Sequence, residues 1–94
     1  MPQNTKISVG ESYTLLTDAD VTAISFQNQG SYALEVVAVA SGTPAETVPG
    51  VRYAPGQGED NLTLADRWLG VTSPARVWAR FTDGLAGSVW VSHA

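Results

Sequence analysis

Ala75-Arg76-Val77-Trp78-Ala79-Arg80-Phe81 and Gly87-Ser88-Val89-Trp90-Val91-Ser92 are the two stretches that decide the fold. In an extended chain successive side chains point to opposite faces. Val77, Ala79 and Phe81 therefore share one face, as do Val89 and Val91, while Arg76, Trp78, Arg80 and Trp90 share the other. Alternation of this kind predicts half-buried antiparallel strands. Asp83-Gly84 alone would suit a two-residue type I′ turn, but that register mixes the apolar and basic faces. A five-residue loop over Asp83–Gly87 keeps them apart, because a slip of one residue turns a strand over. The expectation is a terminal hairpin with Phe81 opposite Val89, Ala79 opposite Val91 and Arg80 stacked on Trp90.

The same punctuation recurs upstream. Thr5–Val9, Ser12–Thr17, Val21–Gln27 and Tyr32–Ala40 are extended runs, separated by Gly10-Glu11, Asp18-Ala19-Asp20, Asn28-Gln29-Gly30-Ser31 and Ser41-Gly42-Thr43-Pro44. Residues 41–60 read mostly as loop, with an edge strand near Val51–Ala54 ahead of Pro55-Gly56-Gln57-Gly58. Residues 61–65 read as a strand and 66–70 as a tight turn, although Thr63 with Asp66 also fits the start of one helical turn. Seven or eight short strands at this spacing predict an all-β chain, a small antiparallel β-sandwich or jelly-roll-like barrel. Residues 1–5 read as a flexible polar arm and 6–94 as a single β-domain.

Composition narrows the function. Only 15% of the 94 residues are charged, against about 25% in an average soluble domain. A surface so poor in charge suits a subunit of an assembly. Net charge is −4 with a single lysine, which argues against nucleic acid, since phosphate affinity comes from clustered Lys and Arg. The first half of the chain is acidic (Glu11, Asp18, Asp20, Glu35 and Glu46 against Lys6), and four of the five basic residues lie in the second. That asymmetry admits a head-to-tail fit between subunits or a merely acidic surface. With no cysteine there are no disulfides or thiolate metal sites, so packing and oligomerisation must supply the stability. The start, Met-Pro-Gln-Asn-Thr, has neither the basic nor the apolar region of a signal peptide, and no apolar run is long enough to span a membrane.

No catalytic constellation or cofactor site is legible, and the expectation is a protein that is not an enzyme. Asp18-Ala19-Asp20 falls short of the six or more oxygen ligands of Ca²⁺ and reads as turn carboxylates capping local amides. Gly56-Gln57-Gly58 lacks the Lys-Ser/Thr ending of a phosphate loop. His93 has no acidic neighbour in sequence to pair with, and Glu59 and Asp60 point to opposite faces of a strand. What remains is a candidate partner-binding set, Arg76, Trp78, Arg80 and Trp90, of the residue types enriched in interface hot spots. Cover of these tryptophans within the monomer, by a second sheet or the 41–60 loop, is the competing reading.

Three stretches together carry a resemblance: Leu16-Thr17-Asp18-Ala19-Asp20-Val21-Thr22-Ala23-Ile24-Ser25-Phe26-Gln27-Asn28-Gln29-Gly30, Arg52-Tyr53-Ala54-Pro55-Gly56-Gln57-Gly58-Glu59, and Val89-Trp90-Val91-Ser92-His93-Ala94. They resemble small virion structural proteins of tailed bacteriophages. The resemblance implies an all-β capsid decoration or cement protein, assembled in the host cytoplasm and present in many copies on the virion. It implies a homotrimer on the major capsid protein, with an arm such as residues 1–5 crossing to a neighbour. It carries no residue over as a known contact. Two further readings stand beside it: a carbohydrate-binding domain of a tail or fibre, stacking aromatics on a surface glycan, and a head-tail connector ring.

Overall fold

The computed structural model describes residues 3–82 and 86–94. Eight strands and one helical turn follow in order: β1 (Gln3–Val9), β2 (Thr14–Leu15), β3 (Ala23–Asn28), β4 (Leu34–Val39), β5 (Val51–Tyr53), β6 (Gly58–Thr63), α1 (Leu64–Arg67), β7 (Arg76–Phe81) and β8 (Gly87–His93). They form two four-stranded antiparallel sheets, ordered β1-β8-β3-β6 (sheet 1) and β2-β7-β4-β5 (sheet 2). The pairs 1 with 8, 2 with 7, 3 with 6 and 4 with 5 are those of one long hairpin folded back on itself. Winding that hairpin also brings β8 beside β3 and β7 beside β4. This is the jelly-roll arrangement. Among the described residues no helix is long and apolar enough to cross a membrane.

The predicted alternation of the last two strands holds. Val77, Ala79, Phe81, Val89 and Val91 are all buried, in one core with Val9, Ile24, Phe26, Leu34, Val36 and Ala38. The expected pairing of the two does not hold, because β7 and β8 belong to different sheets. Phe81 lies opposite Leu34 of β4, and Val89 lies opposite Ile7 and Asn28. Trp78 and Trp90 consequently sit on opposite outer faces of the sandwich. A hairpin and a crossover between facing sheets produce the same in-out alternation, so periodicity cannot separate them. Two glycines make the crossover fit: a Cβ on Gly30 or Gly87 would meet the Phe81 ring at 2.8 and 2.7 Å. The expected loop at Asp83–Gly87 falls largely on Asp83, Gly84 and Leu85, which lie outside the described residues.

Further differences follow from pairing. From Gln3 onward the expected arm is a strand, laddered along β8 from Gln3 opposite His93 to Val9 opposite Gly87. β5 is the expected edge strand, while β6 starts at Gly58 and ends in α1, the helical turn that Thr63 and Asp66 also allowed. Buried Asn28 closes one end of the sandwich. Its Nδ2 donates to the carbonyls of Tyr32 (2.7 Å) and Tyr53 (3.1 Å), and its Oδ1 accepts from the Gly30 N–H at 2.9 Å, so a polar group inside the core is satisfied. The ring of Phe26 meets Tyr53 edge-on at 4.9 Å.

Candidate functional site

On the outer face of sheet 2 a charge ladder crosses three strands, Arg52 of β5, Glu35 of β4 and Arg80 of β7 lying in register. Arg80 Nε donates to Glu35 Oε1 at 2.7 Å and Nη1 to the Glu46 carbonyl at 2.6 Å, while the guanidinium lies 4.2 Å over the Tyr13 ring. Glu35 Oε2 accepts from the Gly50 N–H at 2.9 Å, and the Tyr13 hydroxyl donates to the Val48 carbonyl at 2.7 Å. These bonds pin the 41–50 segment over the sheet, where Pro44 is buried and Val48 half-buried. Burial alone would raise the Glu35 carboxyl, but the Gly50 bond and the Arg80 bond and charge outweigh it and hold its pKa below the ordinary value.

Three of the four expected contact residues stand on this face of β7. Arg80 is bound inside the chain rather than stacked on Trp90, which stands on the other sheet. Trp78 is half-buried between Leu15 and Val37, and its buried Nε1 has no hydrogen-bond partner among the described residues. Arg76 donates to Asp20 Oδ1 at 2.9 Å. The acidic first half thus meets the arginines of the second within one chain, because the jelly roll lays β7 between β2 and β4. Asp20 forms a long-range ion pair with Arg76 where a local turn cap was expected.

His93 also has an acidic neighbour, contrary to the sequence reading. The ring is buried, with Nε2 at 2.7 Å from Gln3 Oε1 and 3.2 Å from Asp18 Oδ1. Gln3 Oε1 also accepts from the Asp18 N–H at 3.1 Å, so the cluster ties β1, β8 and the 18–20 turn together. On the β5–β6 side, the Tyr53 hydroxyl donates to Glu59 Oε2 at 2.9 Å, and Arg67 bonds the same carboxylate. Burial first, then the bond to Glu59, raises the Tyr53 pKa well above the usual tyrosine value.

Two further surfaces stand out among the described residues. The outer face of sheet 1 carries Trp90, half-buried between Lys6 and Gln27, its Nε1 donating to Asn4 Oδ1 at 2.9 Å. The other lies at α1 and the segment after it. Leu69 is 83% exposed there, and a mainly apolar cleft is lined by Val21, Ala65, Pro74 and Ala75. Sequence reasoning missed this second surface because its residues come from separate segments, none with a motif of its own. The chain matches no protein-family model, no curated protein and no solved structure.

Proposed function

We propose that this chain is a non-enzymatic virion structural protein of the capsid-decoration type, added in many copies to a shell built by the major capsid protein. The observation that carries the reading is the apolar end at α1. Large apolar groups at a protein surface mark contact sites; among the described residues Leu69, just after α1, is the most exposed large apolar side chain, and α1 itself contributes Ala65 to a mainly apolar cleft with Val21 and Pro74. The stretches that resemble phage virion proteins lend support by their placement. Residues 16–30 and 89–94 contain β3 and most of β8, the central strands of sheet 1, and 52–59 runs from β5 at the edge of sheet 2 into β6 beside β3.

A modest patch per subunit suffices for such a role, since repeated contacts within an oligomer and over a shell convert weak binding into high avidity. The test is co-sedimentation of the purified chain with bare capsid shells of the phage that encodes it, with sedimentation equilibrium for the expected homotrimer. Leu69→Asp should lower capsid occupancy while the melting temperature stays within the range of ordinary surface changes. Wild-type protein that fails to bind shells, or a Leu69→Asp variant that binds equally well, refutes the assignment.

A further inference from the structure

We propose that the outer face of sheet 1 is a binding site for a neutral glycan, with the Trp90 indole as the platform on which a sugar ring stacks. The proposal does not depend on the assembly role, because it uses a different face of the molecule.

The starting point is what surrounds Trp90. Directly across the ladders stand Lys6 and Gln27, and one step along stand Ser92 with Asn4 and Ser25 on either side. The apolar residues of these strands, Val89, Val91, Ile24 and Phe26, point the other way into the core. Trp90 is thus one large apolar ring in a field of hydroxyl and amide groups. A protein partner of stable affinity is a poor match, because interfaces are built round a buried apolar core with a polar rim, and here the core would be one side chain. Nucleic acid is a poor match as well, since Lys6 is the only cation on β1, β3 or β8 that faces outward here. A pyranose offers what the face lacks: an apolar C–H surface for the indole and hydroxyls round its rim for amides and serines. Lys6 balances Asp60 in formal charge, and the neighbouring Glu59 carboxylate is paired with Arg67, which favours an uncharged sugar.

The site is also held in shape, which lowers the cost of binding. Asn4 fixes the indole edge through Nε1. The Gln27 amide is oriented by two bonds, Nε2 donating to the Gly56 carbonyl at 3.0 Å and Oε1 accepting from Gln29 Nε2 at 3.2 Å. Among the described residues one N–H and one lone pair of that amide have no partner. Between Trp90 and the β5–β6 turn lies a shallow depression lined by Gln27, Gly56, Gly58 and Asp60, where a second sugar unit would find hydrogen-bonding groups. Gly58 lets β6 approach β3 closely at the edge of that depression, since a Cβ there would fall on the Phe26 carbonyl.

The experiment is a nuclear magnetic resonance titration of the ¹⁵N-labelled full chain with cellohexaose, maltohexaose, xylohexaose, mannohexaose and chitohexaose. At least one should shift the Trp90 indole N–H together with the Gln27 side-chain amide, leaving the Trp68 and Trp78 indoles in place. Trp90→Ala should weaken that binding about tenfold or more, and Trp90→Phe, which keeps a ring, should weaken it less. Capsid binding should survive Trp90→Ala, and glycan binding should survive Leu69→Asp, so the two assignments fail separately. Absence of shifts with all five sugars overturns the proposal, as do shifts that map away from Trp90. Loss of capsid binding in Trp90→Ala, with no sugar bound, assigns the face to a protein partner instead. The wild-type titration decides the matter even where a Trp90 variant folds poorly.

Discussion

Replacing Arg80 by alanine should cost the fold about 3 kcal/mol, most of it through groups that Arg80 holds rather than through its own packing. The Arg80 and Glu35 side chains are only 18% and 16% exposed and meet at 2.7 Å, so solvent screens the pair little. A hydrogen bond to a charged group contributes about 1.5–3 kcal/mol, and the stack on Tyr13 about 0.5–1 kcal/mol. These contributions overlap, since one guanidinium makes them all, and truncation also leaves Glu35 with the Gly50 N–H as its remaining bond. For a domain of this size about 3 kcal/mol corresponds to a fall in Tm of about 12–24 °C. Urea unfolding followed by tryptophan fluorescence reads the total, and hydrogen exchange at the Gly50 and Val48 amides reads release of the 41–50 segment. A cycle with Glu35→Gln should return a coupling above about 1 kcal/mol. An Arg80→Ala loss below about 0.5 kcal/mol, or one unchanged in the Glu35→Gln background, would refute the view that this ladder clamps the segment.

Acid should weaken the protein through the same carboxylate. Glu35 is held below the ordinary glutamate value when folded, so its contribution is complete above that value and is lost as pH falls through the folded pKa. Glu35→Gln should be less stable at neutral pH yet show a shallower loss on the acid side; parallel curves of stability against pH would contradict this. Gly58→Ala should cost about 2–3 kcal/mol, because the new methyl falls on the Phe26 carbonyl and lies 2.7 Å from the Gln27 Cα, forcing β3 and β6 apart. Gly10→Ala, where no described atom lies within 4 Å of the new Cβ, serves as the control and should be near neutral in the same thermal melts.

Much of the fold is legible in the chain itself. Two-residue periodicity in 75–81 and 87–92, with turn residues at close intervals upstream, determines an all-β sandwich and which side chains face its core, since strand geometry ties facing to residue parity. Partners are another matter. Val77, Ala79 and Phe81 point inward whether β8 pairs with β7 or lies across the core from it. Only the glycine-lined space round the Phe81 ring and the occupancy of both flanks of β7, by β2 and β4, decide for the crossover. That decision moves Trp90 away from Arg80 and onto a face of its own.

Charge follows the same division. Sequence determined that the first half is net acidic and that the arginines come late, and left open whether the early acids meet them within a subunit or between subunits. The tertiary structure decided that Asp20 meets Arg76, that Glu35 and Glu46 meet Arg80, and that Asp18 meets His93. Local preference and periodicity act over a few residues and are written in them. A pairing between the first third of a chain and its last depends on how the strands wind, and is settled only when the whole core closes.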